Sequence, residues 1–280
     1  MELFQCIRNH ELVIIPVTQQ QYGRLDGGTF MKKRILFINP VGHDECDKEV
    51  FEYLQQYRDP DTEIVVESLP AGLPKMLEYS CYEALIAEPM LRRIKKADLE
   101  GYDACIIGCY FDPFLDTAKE ICHHMVVTAP AEAGMHIAAT IGDSFSVIVV
   151  RNKTIPEMRE YVYKRGFGRY LASMRSLEIP VRELQADPEK TKNRMREKIR
   201  QALEEDMAEV ILLGCTVEIG FFKELQEELG IPVIDANIAP LKYAEFLCSI
   251  RDCGAGWYTS KIGKYESPDD AELRAWGMRD

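Results

Sequence analysis

The sequence predicts an α/β protein built as two pseudo-symmetric lobes, and three observations carry that reading. From about residue 34 onward, short apolar runs alternate with amphipathic stretches of helical length. Several runs, such as Ala104-Cys105-Ile106-Ile107, are apolar without interruption, as strands are when helices cover both faces of a parallel sheet. One pattern also occurs twice: an apolar strand ends in Gly108-Cys109 and another in Gly214-Cys215. Each is followed by an acidic residue (Asp112, Glu218), an amphipathic helix and a further apolar strand.

Taken in order, the apolar runs predict strands at 34–38, 62–68, 103–108, 125–128, 145–150, 173–178, 209–213 and 232–234. Between them, helical periodicity predicts helices at 45–58, 81–97, 113–123, 131–141, 155–166, 188–205, 219–229 and 237–250. The strand ending at Asn39-Pro40 is matched by one ending at Arg151-Asn152, which extends the duplication. Residues 1–30 are polar and irregular, so the fold is expected to begin near Met31, with 1–31 an extension whose apolar run Leu12 to Val17 is available as an extra strand. The C-terminal segment from Trp257 to Trp276 is too aromatic for a disordered tail and is expected to fold across a lobe, the cleft or a subunit partner.

Bulk properties exclude several classes. With 280 residues, 46% of them apolar, the chain can bury a large core. A formal charge of −12 argues against nucleic acid as a partner, since no basic surface is available to neutralise phosphates. No apolar run approaches the length of a membrane span, and no signal-peptide pattern is present. The nine cysteines lack paired short spacings, so the expectation is a cytoplasmic protein with free thiols.

Most free cysteines are small buried hydrophobes, and position must single out any that react. Cys109 and Cys215 stand at carboxyl ends of predicted strands, where α/β proteins bind ligands. The helix that follows each offers unpaired N–H groups and a positive dipole end, which predicts a lowered thiol pKa. The same N–H groups suit an oxygen that becomes negative during reaction. Two thiols facing each other across a cleft can remove an α-proton from one face of a stereocentre and return one to the other, with no cofactor.

The residues here resemble the aspartate/glutamate/hydantoin racemase superfamily. Gly108-Cys109-Tyr110-Phe111-Asp112-Pro113-Phe114-Leu115 is similar to the Gly-Cys-Phe-x-Asp-Pro-Gly-Leu stretch of hydantoin and allantoin racemases, and Gly214-Cys215-Thr216 to the superfamily's second cysteine motif. Ile38-Asn39-Pro40 looks like the start of the hydantoin branch's Asn-Pro-Asn-Thr segment. The similarity runs from about Arg34 to Phe246. It implies Rossmann-like lobes, each a mostly parallel sheet flanked by helices, with the active site in the cleft between them. Lobe one is expected at 32–129 plus 236–280 and lobe two at 130–235. It implies a cofactor-independent racemase or epimerase of a small hydantoin-like ureide or amino-acid derivative, with Cys109 and Cys215 as acid and base, and a homo-oligomer. Departures fall at Val41-Gly42-His43, and at Tyr110, Phe111 and Phe114, whose bulk reshapes the pocket floor.

For substrate contacts the candidates are Asn39, Tyr110, Phe111, Glu132, Arg151 and Thr216. Thr216 either holds a substrate oxygen or caps the following helix. Arg151 pairs with a substrate carboxylate or is a surface residue; Glu132 meets ligand or complements its helix dipole. Cys122-His123-His124 and His43-Asp44-Glu45-Cys46 lack a companion ligand cluster, so no metal is expected. The alternatives are cis–trans isomerisation or decarboxylation of a small diacid on the same fold, a non-catalytic small-ligand binder, and a thiol redox pair, the last disfavoured by placement on opposing lobes.

Overall fold

The computed structural model describes residues 32–278 and two N-terminal strands. These are β1 (Leu3–Arg8) and β2 (Glu11–Pro16), which pair antiparallel with Leu3 opposite Pro16. The apolar run near Leu12 thus finds its partner within the leader, which is not irregular throughout, and in neither large sheet. Residues 17–31, including the expected start of the fold at Met31, lie outside the described residues.

The chain then runs β3 (Lys33–Asn39), α1 (Asp47–Gln55), β4 (Thr62–Ser68), α2 (Ser80–Leu99), β5 (Ala104–Ile107), α3 (Leu115–Ile121), β6 (Val126–Thr128) and α4 (Pro130–Ile141). The same succession follows again: β7 (Phe145–Val149), α5 (Ile155–Lys164), β8 (Leu171–Ser176), α6 (Pro188–Glu204), β9 (Val210–Leu213), α7 (Phe221–Leu229), β10 (Val233–Ile234) and α8 (Ile238–Ile250). A short α9 (Asp270–Ala275), absent from the sequence expectation, closes the described chain.

Two four-stranded sheets result, ordered β4-β3-β5-β6 and β8-β7-β9-β10. All their pairings are parallel. Both sheets therefore have the same order, with the first strand of each half lying inside, next to the third. That neighbouring pair is the switch point where parallel sheets open a crevice at their carboxyl ends.

Strand alternation divides each core into two layers. In the first sheet Leu36, Ile38, Cys105 and Ile107 face α2 and α3 through Ile86, Met90, Ile94 and Leu115. Ile35, Phe37, Ala104 and Ile106 face the other way, onto Val50 and Leu54 of α1 and Leu241, Ala244 and Cys248 of α8. The second sheet repeats this: Ile148, Ile211 and Leu213 pack on Met195 and Ile199 of α6 and Phe221 and Leu225 of α7. Phe145, Val147, Val210 and Leu212 pack on Met158 and Val162 of α5 and on Met135 and Ala138 of α4. Each lobe is thus covered in part by the helix that follows the other lobe's last strand.

The C-terminal segment folds across lobe one. Lys261 Nζ donates to the carbonyls of Lys119 and Glu120 at 2.6 and 3.0 Å, satisfying the open end of α3. Lys264 reaches Asp116 at 2.8 Å, and Arg92 of α2 donates to the Trp276 carbonyl. Among the described residues no helix is long and apolar enough to cross a membrane.

Candidate active site

Both cysteine loops are built alike. After β5 the Gly108 amide donates to the Ile38 carbonyl at 2.8 Å, and after β9 the Gly214 amide donates to the Ile148 carbonyl at 2.8 Å. Each loop therefore folds across the end of the neighbouring inner strand. Only glycine permits this approach: a Cβ on Gly108 would lie 2.3 Å from the Phe37 ring, and one on Gly214 would lie 2.5 Å from the Ile148 carbonyl oxygen. A tight turn follows in both, Asp112 N to Cys109 O at 3.0 Å and Glu218 N to Cys215 O at 3.2 Å. The residues before α3 and α7, Phe114 and Gly220, are both left-handed, with φ of 55° and 78°.

The two loops meet. Thr216 Oγ1 donates to the Gly108 carbonyl at 3.2 Å, and Asn237 Nδ2 holds the Thr216 carbonyl at 2.9 Å. Thr216 is committed to this inter-lobe bond, and the helix cap considered for it is instead the position of Gly220. Both thiols are half-buried, and a charge on Cys109 is felt at Cys215.

The thiol pKa expectation is overturned. Burial pushes Cys109 well up, reinforced by Glu83, Asp112 and Glu157, while the Phe111 amide pulls the other way. Burial also pushes Cys215 well up, as would a negative charge on Glu218, with the Val217 amide opposing. Helices α3 and α7 begin only at Leu115 and Phe221, too far along the chain for their dipoles to outweigh desolvation.

Asp112 anchors the first loop to lobe two. Its carboxylate accepts from the amides of Ala131 and Glu132 at 2.9 and 2.7 Å and from the Tyr161 hydroxyl at 2.8 Å. It thereby caps α4, whose preceding residue, Ala129, has no capping side chain. Burial pushes Asp112 up to about 7 against the pull of these three donors.

The remaining sequence candidates are placed variously. Asn39 ends β3 beside the Gly-Cys turn, but its amide donates to Asp47, which also accepts from Ser68. Glu132 is buried and its carboxylate is held by Lys119, at 2.7 Å to Oε2, and by Arg165 at 3.4 Å. Tyr110 and Phe111 lean into lobe two and line a cavity of about 390 Å³ with Met135, Met158, Tyr161 and Met174. Arg151 lies at the rim of a second cavity of about 880 Å³, 3.8 Å from the buried Glu78. Neither cavity is lined by the thiols.

Among the described residues no group of three His, Cys, Asp or Glu is arranged to hold a metal. His123 and His124 have rings 6.2 Å apart, and their backbone amides are bound by Asp98. Sequence reasoning missed the acidic shell. Glu83 and Glu157 act on Cys109 and Glu78 acts on Cys215, and no spacing motif links these positions.

Comparison with known proteins agrees with this geometry. Residues 35–244 match the Asp/Glu/Hydantoin racemase family model. A hydantoin racemase from Rhizobium meliloti is 34% identical over 234 residues, covering 84% of this chain and 94% of that protein. One from Paenarthrobacter aurescens is 31% identical over 240 residues, covering 85% of this chain and 99% of that protein. The structure of allantoin racemase from Klebsiella pneumoniae superposes with a TM-score of 0.77 at 29% identity, covering 85% of this chain and 94% of the other. The chain belongs to the Asp/Glu/hydantoin racemase family and is an isomerase of the racemase class.

Proposed function

We propose that this protein racemises or epimerises a small hydantoin-like ureide or amino-acid derivative without a cofactor, using Cys109 and Cys215 as paired acid and base. The observation that carries the reading is the meeting of two like-built cysteine loops, one from each lobe, joined by the Thr216–Gly108 bond. One cysteine, as thiolate, takes the α-proton and becomes a thiol. The other, as thiol, gives its proton to the opposite face and becomes a thiolate. Atoms and charge balance, and the pair is left ready for the reverse direction. The partial burial of both thiols suits this, because a weakly solvated thiolate is a stronger base towards carbon.

The acidic shell narrows the substrate class. Glu78, Glu83 and Glu157 near the thiols would repel a dicarboxylate, whereas a neutral ureide ring meets no such repulsion. Proton exchange at an acidic ring C–H beside a carbonyl then needs only the two thiols and the loop amides.

Single enantiomers of a ureide and amino-acid panel incubated in deuterated buffer test the proposal. Loss of optical rotation with deuterium uptake at the stereocentre is the expected result. Cys109→Ser and Cys215→Ser should each abolish racemisation, and full activity in both variants would end the two-thiol reading.

A further inference from the structure

Glu218 is the least explained ionisable group in the described structure. It is 1% exposed, and neither of its carboxyl oxygens has a hydrogen-bond partner. A buried carboxyl in that condition is costly, and native structures rarely keep one without a use. Its place in the fold explains how it became unpartnered. Asp112 stands at the same place in the Cys109 loop, where it caps α4. In lobe two the matching helix, α8, is capped by Asp235, which accepts from the amides of Asn237 and Ile238 at 2.7 and 2.9 Å and from Tyr53 at 2.9 Å. Glu218 is therefore relieved of the capping role and stays with the Cys215 loop, its own amide bound to the Cys215 carbonyl.

Three titratable groups face it from the surrounding elements: Cys215 on its own loop, Asp235 before α8, and Tyr110 from the opposite cysteine loop. The carboxyl lies against the Cys215 amide without reaching hydrogen-bond geometry. With no donor or cation to hold a negative charge, the buried carboxyl favours its protonated form, and burial, followed by the charge of Asp235, pushes it above the usual carboxylate range.

We propose that Glu218 is a positioning residue for Cys215, its carboxylic acid donating a hydrogen bond to the Cys215 sulfur whenever that sulfur is a thiolate. This rests on the two-cysteine reading and adds an asymmetry to it. Asp112, beside Cys109, has both carboxyl oxygens engaged by three donors from α4 and α5, and so is turned away to another task. The thiolate of Cys215 is supported by a donor that Cys109 lacks, which makes Cys215 the resting base and Cys109 the resting acid.

The test reads the thiols directly and needs no turnover. Alkylation of the full chain by iodoacetamide across pH is followed by mass spectrometry of the Cys215 and Cys109 peptides, in wild type, Glu218→Leu and Glu218→Gln. In Glu218→Leu the Cys215 alkylation midpoint should rise by about one pH unit, giving roughly tenfold slower alkylation below the midpoint, while Cys109 is unmoved. Glu218→Gln, which keeps an N–H donor, should restore most of the wild-type profile. An unchanged midpoint in Glu218→Leu overturns the proposal. So does a lowered one, which would mean that Glu218 is an ionised group repelling the thiolate. Should Glu218→Leu fail to fold, the infrared difference between wild type and Glu218→Gln decides: a carboxylic-acid C=O band at neutral pH is required, and its absence overturns the assignment. These readouts stand whether or not the deuterium and Cys→Ser experiments support racemisation, so the two readings fail separately.

Discussion

Replacing Asp112 is the sharpest test of how the Cys109 loop is held. Its carboxylate caps α4 and binds Tyr161, and its backbone is left-handed at φ 48°. In Asp112→Ala the lost cap costs about 1–2 kcal/mol. The buried Tyr161 hydroxyl loses its acceptor, at about 1 kcal/mol or more. Alanine, unlike Asp or Asn, adds about 1 kcal/mol of strain in the left-handed region. Together these amount to about 4 kcal/mol, or a fall in Tm of about 8–16 °C for a chain of this size. Asp112→Asn keeps the backbone preference and one acceptor oxygen, so it should lose about half as much. Urea denaturation of wild type, Asp112→Asn and Asp112→Ala at pH 8, with kcat measured in parallel, gives both numbers. Because Asp112 joins the Cys109 loop to α4 and α5, activity should fall further than the folded fraction does. Asp112→Ala within about 1 kcal/mol of wild type, or indistinguishable from Asp112→Asn, would refute the capping argument.

Other perturbations have equally definite outcomes. Burial, followed by the charge of Glu157, pushes Glu83 up to about 7, with Lys153 opposing. Between its ordinary 4.5 and that value the folded state keeps a proton that the unfolded state has released, so stability falls as pH rises through this window. Glu83→Gln should flatten the slope between pH 5 and pH 8 by about 1–2 kcal/mol after allowance for solvent screening; equal slopes in urea titrations would contradict the assignment. In Gly214→Ala the new methyl meets the Ile148 carbonyl oxygen at 2.5 Å, which backbone must yield to relieve. A loss of about 2–3 kcal/mol and a displaced Cys215 loop follow, and a fully active variant of unchanged Tm would show the approach to be looser. Thr216→Val removes the inter-lobe bond to Gly108 and should lower kcat more than it raises KM, with Thr216→Ser restoring it; equal kcat in both variants would deny the bond a role in aligning the thiols.

Much of the fold is legible in the sequence because its signals are local. Uninterrupted apolar runs become the strands of both parallel sheets, and helical periodicity places α1 through α8 within about two residues at most ends. The repeated Gly-Cys endings locate the two loops, since the glycines are demanded by clashes with the neighbouring inner strands, β3 and β7. Less local features are not legible. The six-residue α9 depends on its Asp269 cap and its dock on lobe one, and carries little periodicity. The partners that hold Asn39 and Glu132, namely Asp47, Lys119 and Arg165, come from other parts of the chain and no local motif announces them. Thiol acidity is hidden for a similar reason: helix dipoles are visible in a motif, whereas the desolvation that outweighs them at Cys109 and Cys215 comes from the folded surroundings.

The exchange of covering helices has a consequence for how the chain is made. The first sheet is synthesised early, yet the face formed by Ile35, Phe37, Ala104 and Ile106 is completed only by Leu241, Ala244 and Cys248 of α8. A nascent chain emerging from the ribosome has only α1 to cover that face, and must carry the rest of it exposed until nearly the whole polypeptide has been translated. The first lobe therefore cannot mature before the second, and a chain truncated ahead of α8 would present a sticky half-built sheet. A helix made near the end of translation thus acts as the closing stitch for the first sheet.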